Sequence, residues 1–267
     1  MNELKKFTQW LLILLLFIGC KTAIPLKTPQ ADLQEIEGAV LEGKWKEVIT
    51  YSEKRLEREP DNAVIHFMLS MAYYMKGEYE LQEQQRSLAL EDEESMDAII
   101  AWCKDLAQQF PDNSYAHLLL GSAYRAKDEV DKALESYKRA IEINTNFADA
   151  YLGLGVTYLL NEQVDEAIHY IKKAIEINPM HMPAHLNLGF IYEYNGQIDE
   201  AIASYEKTIE INPHFTGAYI KLGDLYLEKD DRDKAVKAYK KVIELEPESE
   251  LGIYAEDAIE DIEGIKE

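Results

Sequence analysis

Apolar and small side chains recur along this chain in a fixed order with a step of 34 residues. Gly121, Gly155, Gly189 and Gly223 are each preceded by leucine (Leu120, Leu154, Leu188, Leu222) and followed three residues later by tyrosine (Tyr124, Tyr158, Tyr192, Tyr226). Alanine stands twelve residues after each glycine (Ala133, Ala167, Ala201, Ala235), and four residues further on come Tyr137, Ile171, Tyr205 and Tyr239. Pro179, Pro213 and Pro247 close three of the units, with Thr145 in the first. A constant period of this length marks a stack of like supersecondary units sharing one core. Upstream the pattern blurs. Leu69, Ser70 and Tyr73 repeat the Leu–small–Tyr triplet in a helix predicted over 63–75. Gly43, Lys44 and Trp45, then Val48 and Leu56, mark a second helix ending at Pro60-Asp61-Asn62. An amphipathic helix over 97–109 ends at Pro111-Asp112-Asn113. The two Pro-Asp-Asn turns lie one and a half periods apart, so a half-unit has been added or merged between them. The run Glu91-Asp92-Glu93-Glu94 reads as a solvated loop. Beyond Pro247, residues 251–265 read as one helix covering the last unit.

The six repeated positions resemble those of the tetratricopeptide repeat (TPR), with units at 114–147, 148–181, 182–215 and 216–249. The resemblance implies an all-α, right-handed α-solenoid of helix-turn-helix repeats. Residues 32–113 then form divergent TPR-like helices and residues 250–267 a C-terminal capping helix, which solenoids require for solubility. Each unit is expected to hold two antiparallel helices, A and B. The glycine of A and the alanine of B leave room for close approach, while leucine and tyrosine fill the space around them. Asp131, Asp165, Asp199 and Asp233 open the B helices, where a carboxylate complements the helix N-terminus.

The first stretch reads as an address. Lys5 and Lys6 precede an apolar run from Trp10 to Ile18. That is too short to span a bilayer, which takes about 20 residues, and is the length of a signal-peptide core. Phe17-Ile18-Gly19-Cys20 resembles the lipobox of bacterial lipoproteins, with Phe17 where Leu, Val or Ile is usual. The resemblance implies a lipoprotein-type signal peptide over 1–19 and acyl chains on Cys20. Two or three such chains anchor stably where one binds only marginally. An ordinary leader with an unmodified cysteine is the other reading. Lys21 leaves the choice of leaflet open. Pro25 and Pro29, without helical periodicity, make the segment from Cys20 to Ala31 an extended tether.

Composition narrows the partners. The 267 residues carry 28 Lys+Arg against 50 Asp+Glu, a formal charge of −22. With no basic stripe to release counterions, nucleic acid is excluded as a partner. Docking on anionic lipid through charge is disfavoured too, so membrane attachment must be hydrophobic or covalent. Cys20 and Cys103 offer neither a disulfide framework nor metal spacing. His181 and His185 are four apart, but Pro183 between them places His181 in the loop before the helix that carries His185, and no metal site is expected. Cys103, beside Trp102 and Leu106, reads as a buried, inert thiol. Gly153-Leu154-Gly155 lacks the third glycine and the preceding strand of a nucleotide loop. No catalytic motif is legible. The chain is expected to be a non-enzyme without cofactor.

What remains is surface shape. In TPR proteins the A helices line a concave face, and ligands bind through their second, fifth, sixth and ninth positions. Carried onto this chain, the resemblance marks Leu118, Leu152, Leu186 and Ile220 at the fifth position and Ser122, Val156, Phe190 and Asp224 at the ninth. Asn187 and Lys221 fall at the sixth, and since they alone suit a clamp for a terminal carboxylate, such a clamp is not expected. The expected groove is apolar through its middle and polar toward the last repeat, suited to a peptide segment with apolar anchors. Packing within each repeat is the rival use of the fifth-position residues. The functional expectation is a non-catalytic adaptor anchored to the bacterial envelope, periplasmic or at the cell surface, gathering other envelope proteins. The alternative is an accessory lipoprotein of a solute-uptake system, holding a small apolar ligand.

Overall fold

The computed structural model describes residues 29–264. The leader, Cys20 and the first part of the tether lie outside them. The described residues form fourteen helices and no strand. The first five are α1 (Pro29–Leu41), α2 (Trp45–Leu56), α3 (Ala63–Lys76), α4 (Tyr79–Ala89) and α5 (Glu93–Gln109). Four helix pairs follow: α6 (Ser114–Ala126) with α7 (Val130–Ile143), α8 (Ala148–Leu160) with α9 (Val164–Ile177), α10 (Met182–Tyr194) with α11 (Ile198–Ile211), and α12 (Thr216–Glu228) with α13 (Arg232–Leu245). The last helix is α14 (Glu250–Glu263). None of these helices is long and apolar enough to cross a membrane.

In all four pairs one turn geometry joins the two helices. Asp128, Glu162, Gly196 and Asp230 occupy the same place in their units, and each has a positive φ, between 57° and 70°. That left-handed residue reverses the chain, so A and B pack antiparallel. Across the hairpin each repeated glycine meets the large residue of its B helix. A Cβ built on Gly121 would lie 2.9 Å from the Tyr137 ring, one on Gly155 2.7 Å from Ile171 Cγ1, and one on Gly189 2.8 Å from the Tyr205 ring. Gly223 presses on the Tyr239 ring more closely still. The four alanines at 133, 167, 201 and 235 are fully buried. Tyr124 and Tyr192 are buried and Tyr158 and Tyr226 half-buried, each ring covered by a lysine ammonium 5.1–5.6 Å from its centroid. At the C-terminus Ser249 caps α14 by accepting from the Gly252 amide at 3.0 Å, and Ala255 seals the last core. The Tyr254 hydroxyl donates back to Asp224 at 2.9 Å.

The N-terminal region departs from the alternating pairs. Between the two Pro-Asp-Asn turns stand three helices, α3, α4 and α5, so the additional half-unit is a helix of its own. Helix α3 packs on α2, α4 and α5, and α5 passes the chain to α6. Long-range ties fix α1 and α2 to α5 and the first repeat. Trp102 Nε1 donates to Glu37 at 2.9 Å, Asn113 Nδ2 donates to the Leu41 carbonyl at 2.9 Å, and Trp45 lies edge-on to Tyr115 at 5.2 Å. Ile36, Val40 and Val48 share one core with Ala116 and Leu119.

Two local expectations are corrected here. The acidic run at 91–94 is solvated as expected, but only Glu91 and Asp92 lie in the loop. Asp92 accepts from the Ser95 amide at 2.7 Å as an N-cap, and Glu93 and Glu94 form the first turn of α5, where the helix N-terminus favours negative charge. The tether does not run to residue 31, because α1 begins at Pro29. Proline is tolerated in a first helical turn, where its missing N–H has no intrahelical partner to lose.

Candidate interaction surface

Helices α6, α8, α10 and α12 present the inner wall of the array, and the α3–α4 hairpin lies across it. The Tyr74 ring packs into the core shared by α8 to α12 and meets Tyr79 edge-on at 6.2 Å. Tyr79 in turn meets Phe215, just ahead of α12, at 6.4 Å. The hairpin turn and its flanking residues face Asp149, His181 and Asn212 across a cavity of about 340 Å³. A second cavity, of about 450 Å³, lies between the hairpin and helices α6 and α8. The expected continuous groove is therefore interrupted by the chain itself. The inserted helix α4 folds its hairpin back over the first repeats.

Burial and hydrogen bonds sort the predicted wall residues. Leu118, Leu152 and Ile220 are only 3%, 5% and 8% exposed, and Leu186 is half-buried against the α8–α12 core. These four fifth-position residues are taken up by packing, Leu118 and Leu152 of them beneath the α3–α4 hairpin. The Ser122 hydroxyl is 3.1 Å from the Tyr137 hydroxyl. Asn187 donates to the Pro183 carbonyl at 2.8 Å, and Lys221 donates to Glu193 at 2.9 Å. Asp224 accepts from both Tyr239, at 2.7 Å, and Tyr254. Those polar groups have internal partners and are not free for a ligand. Val156 is half-buried on the wall of the larger cavity. Phe190 alone of the ten stands open, at 51% exposure. Two further open apolar residues of the A helices, Leu160 at 53% and Tyr194 at 75%, had no place among the ligand positions. Both are the thirteenth residue of their units, so the helical period of the wall carries the signal.

His181 and His185 are each engaged within the fold. His181 Nε2 is 3.1 Å from Asp149 Oδ1, and its Nδ1 accepts from the Ala184 amide at 3.3 Å, so the side chain caps α10. His185 Nε2 is 3.0 Å from the Pro179 carbonyl oxygen. Cys103 is fully buried, and that burial pushes its thiol well above the ordinary value.

Burial likewise raises the tyrosines that hold the hairpin. Tyr73, whose hydroxyl donates to Glu53 at 2.9 Å, is pushed up to about 12, first by desolvation and then by that carboxylate. Tyr79 is pushed up to about 12 by desolvation, with Asp149 adding to it. In the unfolded chain both ionise near 10. Rising pH therefore deprotonates the unfolded state first. The stability these groups contribute is complete below pH 10 and is lost between about 10 and 12. Thermal melts should fall across that window, and Tyr79→Phe should flatten part of the decline. An unchanged slope in the variant would show Tyr79 to be solvated rather than docked on the array.

Comparison with known proteins gives a consistent picture of the architecture. A family model described as TPR repeat matches residues 121–162, and models described as tetratricopeptide repeat match 148–181, 183–215 and 216–249. Among solved structures, the crystal structure of MamA is 35% identical over 57% of this chain and 90% of its own, with a TM-score of 0.53. The Cut9–Hcn1 hetero-tetramer of the APC/C shares 16% identity over 90% of this chain and 50% of that chain, at a TM-score of 0.55. The pilF protein of Pseudomonas aeruginosa shares 15% over 89% and 97%, at 0.52. These last two speak to the fold alone. No curated protein matches the sequence.

Proposed function

The chain belongs to the tetratricopeptide repeat family, an architecture of protein-interaction scaffolds, and from that premise we propose that it is an envelope adaptor that grips a partner segment on the open part of its inner wall. The observation that carries this reading is the exposure of Leu160, Phe190 and Tyr194 on consecutive A helices, beside polar groups whose hydrogen bonds are already made. An apolar stripe amid satisfied polar groups favours a peptide with two or three apolar anchors. Charged partners gain little from it, because Lys221 is held by Glu193 and Asp224 by two tyrosines. The partner is a protein or peptide, and no step of chemistry is assigned to the chain. Acyl chains on Cys20, which lies outside the described residues, would hold the array at a bacterial membrane.

Cross-linking in intact cells, followed by mass spectrometry, tests both parts. The double variant Phe190→Glu, Tyr194→Glu places two carboxylates on exposed positions and should keep its helicity while losing the captured partners. An unaltered set of captured proteins would overturn the wall as the contact surface. In parallel, labelled palmitate should enter the wild type and not Cys20→Ala. Equal incorporation by both would refute the anchor while leaving the adaptor reading untouched.

A further inference from the structure

The cavity of about 450 Å³ beneath the α3–α4 hairpin is within the size range of small-molecule sites, about 300–1,000 Å³. One side is apolar, with Phe67, Met71 and Met75 of the hairpin facing Leu118, Leu152 and Val156 of the array. Arg125 lines it too, at the last turn of α6, with Nε donating to the Tyr137 hydroxyl at 3.3 Å. Among the described residues no carboxylate lies within ion-pair distance of its guanidinium, and its terminal nitrogens have no hydrogen-bond partner. The two acids that share the cavity wall are committed elsewhere, Glu83 to Arg86 at 3.0 Å and Asp149 to His181. The Tyr74 hydroxyl, also on the wall, has no partner among the described residues either. Burial raises that phenol well above its ordinary value, so it stays a neutral donor.

Register within the repeats sharpens the contrast. Two units on, the residue equivalent to Arg125 is Glu193, and it accepts from the Tyr205 hydroxyl and from Lys221. The first repeat reverses that charge and supplies no counter-ion. Arg125 is half-buried, so its guanidinium gives up part of its hydration without gaining an anion, and in a chain of net charge −22 a carboxylate was not scarce.

From this geometry we infer that the cavity is a binding site for a small carboxylate with an apolar tail, its head on Arg125 and Tyr74 and its tail among Met71, Met75, Leu118 and Leu152. The site goes beyond the adaptor reading and stands without it. It differs from a purely apolar pocket in requiring the anion. The two methionines suit a tail of variable shape, since their unbranched side chains adapt to irregular contents.

Calorimetric titration of the purified full chain with dodecanoate, dodecanol and dodecylamine tests the assignment. Dodecanoate should bind best, and Arg125→Gln should weaken it about tenfold to a hundredfold, the range for a lost charge-assisted hydrogen bond. Arg125→Lys should retain part of the affinity. Val156→Trp, which fills the cavity from its half-buried wall, should abolish binding with helicity retained, and this variant serves should Arg125→Gln fold poorly. Equal affinity for dodecanol, or dodecanoate binding unchanged in Val156→Trp, would overturn the site. Capture of protein partners through Phe190 and Tyr194 is read separately, so either proposal can fail alone.

Discussion

Replacing Gly155 by leucine is expected to destabilise the array by about 2 kcal/mol net, read as a lowered urea midpoint. Even the first carbon of the new side chain would stand 2.7 Å from Ile171 Cγ1, 3.0 Å from the Ala167 carbonyl oxygen and 3.2 Å from the Ile171 amide nitrogen. Two of these three neighbours are backbone atoms, which cannot rotate away as a long side chain would. Leaving glycine gains helix propensity of about 1 kcal/mol, but overpacking of about 3 kcal/mol outweighs it. The matched control is Gly38→Ala in α1, where a new Cβ meets nothing within 4 Å. That change should raise stability by about 0.5–1 kcal/mol. Should both variants raise the midpoint, propensity would rule and the close approach of α8 to α9 would not.

That contrast also marks what the sequence made legible. The 34-residue step located Gly121, Gly155, Gly189 and Gly223 because each must clear the same residue of its own B helix, a contact less than twenty residues away along the chain. Local chemistry of that kind leaves a periodic trace. The extra helix α4 left a weaker one, the displaced spacing of two turns, with no indication of where its hairpin would go. Its destination depends on Tyr79 meeting Phe215, 136 positions later, and no short-range pattern encodes such a contact. The wall positions carried over from the family could not show which of them packing would take up, for a related reason. Leu118 and Leu152 lie beneath the α3–α4 hairpin, and Asp224 is held by Tyr254 of a helix beyond the repeats. Arg125 passed unnoticed because an arginine in a last helical turn is ordinary; its significance lies in the carboxylate that is not near it.

Tyr137→Ala is expected to cost about 3–5 kcal/mol, the range for deleting a fully buried aromatic ring, and to act beyond its own repeat. The Tyr137 ring lies against Gly121 of α6 and also against Gly153 of α8, where an added Cβ would stand 2.5 Å from Cε1. It therefore fills the joint between the first repeat and the second, whereas the Tyr239 ring fills the joint between Gly223 and Tyr254 at the end of the array. Apart from the α3–α4 hairpin, whose Tyr74 and Tyr79 reach the α8–α12 core and Phe215, the units couple to their neighbours, so a lesion at the inner joint leaves the hairpin as the tie between two cooperative blocks, and a lesion at the end frays one helix pair. Urea unfolding of Tyr137→Ala should broaden or split, with the N-terminal helices and α6–α7 releasing apart from α8 to α14. Tyr239→Ala should keep a single main transition, while hydrogen exchange quickens in α13 and α14. Loss of the ring also removes the hydroxyl that receives Arg125, so the variant exposes a cation as well as a void and should fall at the upper end of the range. A single, equally steep transition in both variants would mean that the first joint is no weaker a link than any other, and the block picture of the array would have to be given up.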